Sequence, residues 1–337
     1  LRRCLRFAAR GLFKILTRAE VNGRNHLPAR GPAILAGNHI GIIEVAMLVA
    51  YTPHPIELVG AGDIPLDPNF AWIANLYGFI PIRRGILDRE GLYTALGVLT
   101  QAGIVGVFPE GGIWTANQKP ARSGIAWLSA QAKSPVIPIG FGGMNGALRS
   151  ILSFKRPAVT MNIGEQIPPV TPDLASGVSR KASFERAATE IMARIDTLLS
   201  TEERQMLNGY NEAADLRISL FDANGNEISP PDDLIVGNHA ALGKFLTNSV
   251  LLDVFARNLH MSIQPFLHLE AQSGSNELSS ACQAVLDYLE INPGFFTYRF
   301  GVDEGLAVAE GLRELQRLAN WSAGQNLRVK IGINGQV

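Results

Sequence analysis

The stretch LAGNHIGIIEVAM, residues 35 to 47, ends an apolar run on His39 and places Glu44 inside the apolar segment that follows. An imidazole held by a carboxylate is a pairing that can take a proton from a hydroxyl. Five residues of continuous helix would set the two side chains about 140° apart. They meet only if His39 stands in a loop after the strand-like PAILAG (32–37) and Glu44 lies in the first turn of the next helix. The carboxylate would then bond one ring nitrogen and fix the tautomer, leaving the other nitrogen to accept a proton. The competing reading is a polar turn residue and a solvated helix charge. The pair alone does not decide between them.

Three further segments carry groups that could bind a substrate. YGFIPIRRG (77–85) sets Arg83 and Arg84 at the end of an apolar run. A guanidinium fork suits a phosphate; the plainer reading is two surface arginines. VFPEGGIW (107–114) ends a second run with Pro109, Glu110, Gly111 and Gly112. Glycines there allow close approach of backbone to a ligand, or simply a tight turn. SPVIPIGFGG (134–143) is a buried-strand pattern containing Pro138, a residue out of place in a central strand that marks a special role or an edge.

In this order and spacing the four segments resemble the lysophospholipid acyltransferase superfamily, typified by the 1-acylglycerol-3-phosphate acyltransferases. That family shows N-H-x4-D, G-x-x-x-x-R, F-P-E-G and V-x-P-x motifs. Here they read Asn38-His39 to Glu44, Gly78 to Arg83, Phe108-Pro109-Glu110-Gly111, and Val136-Ile137-Pro138-Ile139. The lead-in VNGRNHLPARGPAILAGNH also looks like the family's approach to its first motif, and the likeness runs from about residue 18 to about residue 200. No single block is specific, but the combination is.

The resemblance implies a glycerolipid acyltransferase-like fold and an O-acyltransferase acting in phospholipid biosynthesis or remodelling. His39 would deprotonate a hydroxyl of a lysophospholipid, lysophosphatidic acid-like, for attack on acyl-CoA or acyl carrier protein. Glu44 would orient and charge-balance His39. Arg83 would hold the acceptor phosphate, Glu110 and Gly111 would shape its site, and Arg122, in KPARSG, would take a lesser phosphate role. Arg84, Gly112 and Pro138 complete the expected substrate-binding set. The acyl donor is a co-substrate, and no further cofactor or metal is implied.

Two departures qualify the likeness. Glu44 stands for the family's aspartate, one methylene longer. The third motif runs on as GGIW, where Ile113 and Trp114 read as an apolar substrate wall and leave the acceptor's identity open. A non-catalytic lipid-binding module on a degenerate acyltransferase fold is the alternative that the first departure raises.

These residues need a scaffold. Strand-like runs at 32–37, 55–60, 79–83, 103–108, 135–141 and 158–164 alternate with helical patterns at 88–103 and 124–132. Such alternation predicts an α/β domain with a largely parallel sheet flanked by helices. A closing helix is predicted over 183–199, and TEERQMLNGYNEAAD then reads as a boundary. Three parts are expected: a helix at 1–18, an acyltransferase-like domain at 19–205, and a second α/β-like domain of unknown function at 206–337. The chain opens on Leu1 rather than methionine and stops in KIGINGQV, an interrupted strand and turn, so further residues are expected at either end.

With 30 basic and 30 acidic residues the chain is neutral, which argues against a nucleic-acid partner bound through global charge. Cys4 and Cys282 form no ligand or redox pattern and fit a reducing compartment. Charge is nonetheless uneven. On a helical wheel of residues 1–18, Leu1, Cys4, Leu5, Ala8, Ala9, Leu12, Ile15 and Leu16 share one arc. Arg2, Arg3, Arg6, Arg10, Lys14 and Arg18 fill the other, with Phe7 and Phe13 among them. A basic amphipathic helix suits an anionic membrane surface, so a peripheral protein on the cytoplasmic face of a membrane is expected. The competing reading packs the helix on its own domain.

Two look-alikes serve as controls. VGNHAALGKF (236–245) repeats Gly-Asn-His but offers Lys244 where a carboxylate would be needed, so His239 reads as a helix-start residue. GFGGMNG (140–146) misses the third glycine of a dinucleotide loop at Asn145.

Overall fold

A computed structural model of the protein describes residues 1–112, 122–173, 178–208 and 215–334. The chain divides into two compact units: residues 1–63, 70–83 and 87–211, and residues 64–69, 84–86 and 212–337.

The first unit opens with α1 (Arg2–Leu16), β1 (Arg18–Asn22), β2 (Ala33–Gly37), α2 (Ile43–Tyr51), β3 (Glu57–Ala61), α3 (Ala71–Tyr77) and β4 (Ile80–Ile82). It continues through α4 (Arg89–Thr100), β5 (Ile104–Val107), α5 (Gly124–Ala132), β6 (Val136–Gly142), α6 (Ala147–Leu152), β7 (Ala158–Ile163), α7 (Arg180–Asp196) and α8 (Thr201–Asn208). All six predicted strands form. Their seven-stranded sheet runs β1-β7-β6-β2-β5-β3-β4, and every pairing is parallel except β6 with β7.

The sheet separates two apolar layers. Strand β2 alternates its side chains between them: Ala33 and Leu35 join one cluster, Ile34 and Ala36 the other. The first layer holds Phe13 of α1, Met47 and Leu48 of α2, Tyr77 of α3 and Ala147 of α6. The second holds residues of α4, α5 and α7, among them Leu99, Leu128 and Ile191.

Helix α1 turns part of its basic arc, Arg2, Arg6 and Arg10, inward. Arg6 is buried beside Phe13, while Leu12 and Ile15 of the apolar arc are exposed. The reason is that α2 ends in carbonyls without intrahelical partners. Arg6 Nε donates to the Val49 carbonyl at 3.2 Å and its Nη2 to that of Thr52, while Arg10 donates to the Ala50 carbonyl through Nε at 3.1 Å and Nη2 at 2.8 Å. Arg2 donates to the Tyr77 carbonyl at 2.7 Å and pairs with Glu57. Arg2, Arg6 and Arg10 thus pack on the chain's own domain as the competing reading expected, Leu5 and Ala9 of the apolar arc join the core, and Leu1, Leu12 and Ile15 are exposed.

The second unit has a four-stranded antiparallel sheet in the order β10 (Gln272–Gly274), β11 (Arg328–Asn334), β8 (Asp215–Phe221), β9 (Glu227–Ile228). Strands β8 (Asp215–Phe221) and β9 (Glu227–Ile228) flank a turn in which Asp222 Oδ1 accepts the N–H of Asn224 and of Asn226, both at 2.8 Å. Helices α9 (His239–Leu246), α10 (Ser249–Asp253) and α11 (Gln264–Leu267) precede β10 (Gln272–Gly274). Then come α12 (Ser275–Ile291), α13 (Gly294–Phe300), α14 (Val302–Gly324) and β11 (Arg328–Asn334). Asn248 separates α9 from α10 by capping the latter, its side chain accepting the Leu251 N–H at 3.0 Å. Phe245, Phe255, Phe266 and Phe296 fill this unit's core. His239 is the first residue of α9, with Nδ1 3.0 Å from the Leu216 carbonyl.

Candidate active site

The centre of the first unit's sheet supplies the site. Strand β2 lies between β5 and β6, parallel to both, so the segments leaving the C-terminal ends of the three strands converge. Open α/β sheets characteristically bind ligands at that edge.

Asn38 leaves β2 buried and is held to β6 from both sides: its Nδ2 donates to the Phe141 carbonyl at 3.1 Å, and the Phe141 N–H donates to its Oδ1 at 2.7 Å. This clamp fixes where His39 stands. His39 precedes α2, as the spacing required, and its Nδ1 lies 2.9 Å from Glu44 Oε1. Glu44 is fully buried in the first turn of α2. The same oxygen accepts the backbone N–H groups of Ile40 and Gly41. The extra methylene thus lets the carboxylate fold back over the loop and close it. Burial pushes the Glu44 carboxyl up, but the His39 hydrogen bond and charge, with the Gly41 N–H, outweigh burial and hold it below its ordinary value. A carboxylate only accepts, so Nδ1 carries the proton and Nε2 is the basic nitrogen.

The segment after β5 covers the imidazole. Phe108 stacks on His39 with ring centroids 4.4 Å apart and planes 26° apart. Gly111 donates its N–H to the Phe108 carbonyl at 2.9 Å, closing a turn with φ of 72°, a left-handed value that favours glycine. Gly112 follows with φ of 156°. Glu110 is buried, and its Oε1 accepts the His39 N–H at 3.3 Å. Burial raises its carboxyl to about 8; the charges of Asp196 and Glu44 act in the same direction, and the His39 N–H opposes them. At neutral pH Glu110 is mostly protonated beside an ionised Glu44, so the two carboxyl groups have distinct chemistry.

The remaining expected residues are placed as follows. Arg83 ends the β4 segment with its side chain more than half exposed; its N–H donates to Asp88 Oδ2 at 2.8 Å, and its Nε lies 3.7 Å from the same oxygen. Asp88 also caps α4 through the Gly91 N–H. The Arg83 N–H, against an upward push from burial, holds the Asp88 carboxyl below its ordinary range, helped by the Gly91 N–H and the Arg83 charge. Arg84 parts from Arg83. It belongs to the second unit, where its guanidinium lies 5.7 Å from the Tyr298 ring centroid. Arg122 is exposed and donates its N–H to the Pro109 carbonyl at 2.9 Å. Ile113 and Trp114 lie outside the described residues.

Pro138 lies in a central strand, beside Ala36 of β2. Its carbonyl accepts the Gly164 N–H at 2.9 Å, and Ile167 bridges to Val136 two residues earlier. The ring thus faces the bulge between Gly164 and Ile167, where no ladder bond needs its missing N–H.

Three residues of the site had no role from sequence: Asn38, Phe108 and Asp88. The first two sit inside recognised motifs. Asp88 was visible as an acid just before a helical pattern.

Residues 18–142 match the family model described as Acyltransferase. The first unit carries an acyltransferase domain. With its four motifs this domain is that of an O-acyltransferase, similar to the 1-acylglycerol-3-phosphate acyltransferases. Among solved structures, the chain is similar to the 1-acyl-sn-glycerophosphate (LPA) acyltransferase PlsC from Thermotoga maritima, with 15% identity and a TM-score of 0.44. That match covers 60% of this chain and 79% of the other. Among the described residues, no helix is long and apolar enough to cross a membrane.

Proposed function

We propose that the protein transfers a fatty acyl group from a thioester, acyl-CoA or acyl carrier protein, to a hydroxyl of a lysophospholipid. The observation that carries this reading is the 2.9 Å contact of His39 Nδ1 with buried Glu44, which leaves Nε2 as the base. Nε2 takes the acceptor's hydroxyl proton as the oxygen attacks the thioester carbonyl. The tetrahedral adduct then collapses, the carbon–sulfur bond breaks, and the imidazolium gives its proton to the departing sulfur, which releases the free thiol and restores the base. Glu44 stabilises that imidazolium. Protonated Glu110 and the Gly111–Gly112 turn border the acceptor, and Arg83 binds its phosphate.

The exposed Leu1, Leu12 and Ile15 of α1 support a peripheral position on a membrane surface, where such acceptors reside. The test is turnover. Purified protein with acyl-CoA and lysophosphatidic acid should release free thiol and form the diacyl ester, identified by mass. A panel of acceptors with and without phosphate reads the head group. Absence of thiol release and ester with every acceptor and with both donor classes would overturn the reading.

A further inference from the structure

The apolar arc of α1 is not isolated. Helices α1, α2, α3 and α6 pack on the same face of the first unit's sheet. On the outside of that layer α3 exposes Trp72, Ile73 and Leu76, and the end of α6 exposes Leu152 and Phe154, with Trp72 65% and Phe154 81% accessible. Both groups flank α1. Its first turn is tied to the end of α3 by the Arg2–Tyr77 bond, and its last turn to the chain after α6 by Arg156, which donates to the Lys14 carbonyl at 3.1 Å.

The segments that carry these residues are one-sided in charge. The whole chain balances 30 basic against 30 acidic residues, yet residues 1–19, 70–83 and 143–164 contain no aspartate or glutamate. The first of these segments holds six cations, the second Arg83, and the third Arg149, Lys155 and Arg156. Arg3, Lys14, Arg149 and Lys155 are exposed. Exposed apolar side chains on these helices, with exposed cations on the same segments, match acyl chains below anionic headgroups.

We infer that α1, α3 and α6 together form one docking face for an anionic lipid bilayer, with Trp72 and Phe154 inserting on either side of α1. This rests on the peripheral-membrane reading above and extends it from one helix to a three-helix surface. A single amphipathic helix can swing on its tether, whereas a face spread over three packed helices fixes the domain's orientation on the membrane.

The test compares the full chain with Trp72→Ser, Phe154→Ser and the double variant, leaving α1 intact. Tyr93→Ser is the control, since Tyr93 is an exposed aromatic on α4 in the opposite layer. Binding is read by co-sedimentation with vesicles of phosphatidylglycerol and phosphatidylcholine, and by turnover of a short-chain soluble acceptor without vesicles. Each single variant should lose vesicle partition several-fold and the double variant at least about tenfold, with Tyr93→Ser unchanged. Soluble turnover should stay at the wild-type rate in all four. Wild-type partition by the double variant would show that α1 alone is the anchor and overturn the three-helix face. Failure of the wild type itself to bind vesicles, with soluble turnover intact, would overturn the membrane reading and this face with it. Vesicle binding lost in the variants, in a protein without turnover, would support the face and sink the acyl-transfer reading alone. Self-association of the wild type through Trp72 and Phe154, without vesicle binding, would assign the face to a second copy and overturn the proposal.

Discussion

Glu110 Oε1 lies 3.3 Å from the backbone nitrogen of His39, so the segment after β5 is bonded directly to the residue that carries the base. Glu110 therefore holds the loop that carries His39, and its protonation state bears on that bond.

That linkage has a sign. A carboxyl raised to about 8 from the ordinary 4.5 binds its proton more tightly in the folded protein. Its contribution to stability is full below about pH 4.5 and is lost as pH rises toward about 8. Glu110→Gln, which mimics the protonated group, should flatten this part of the stability profile. Urea midpoints between pH 5 and pH 9, as a wild-type-minus-variant difference, read it. A wild-type midpoint that rises with pH relative to the variant would contradict the assignment.

His39→Ala should lower kcat by at least about a hundredfold, because the proton acceptor is gone. His239→Ala should leave the rate unchanged; that ring bonds a carbonyl at the start of α9. Glu44→Gln should fall nearly as far as His39→Ala, since an amide cannot balance an imidazolium. Glu44→Asp should keep most of the activity. Steady-state rates, with circular dichroism confirming the fold, settle the order of the four.

Arg83→Ala should raise KM for a phosphorylated acceptor by about tenfold and leave KM for the acyl donor near wild type. Asp88→Ala should act in the same direction more weakly, because Asp88 positions Arg83, and should also destabilise the protein by about 1 kcal/mol through loss of the α4 cap. Equal changes in both KM values for Arg83→Ala would make it structural.

Arg6→Ala should destabilise the first unit by about 2 kcal/mol, since it strips partners from the Val49 and Thr52 carbonyls. Arg3→Ala, at an exposed position of the same helix, should change the unfolding midpoint little. Chemical denaturation of the two variants gives the comparison. Deleting residues 1–18 to test membrane binding should for the same reason impair folding.

The parts of the fold written in local pattern were legible in the sequence. Each parallel strand is a short apolar run, and burial on both faces makes such runs stand out. Strand β1, RAEVN, sits at the sheet edge with alternating exposed and half-buried residues, and no apolar run announces it. The dyad was legible because a five-residue offset can close only across a helix start. The direction of α1 was not. A wheel shows that two arcs differ but not which one meets the protein, and here the answer lay in the unpaired carbonyls of another helix. The parting of Arg83 and Arg84 is likewise a tertiary fact, invisible in two adjacent letters.

The arginine contacts of α1 have a consequence for the chemistry. The guanidiniums of Arg6 and Arg10 stand at the negative end of the α2 macrodipole, and the Glu44 carboxylate stands near its positive end. A nine-residue helix with a counter-charge at each terminus resists fraying at both. The carboxylate that orients the imidazole is thereby steadied by residues more than thirty positions earlier in the chain. Replacing these arginines with leucine to make α1 greasier would trade catalytic geometry for adhesion.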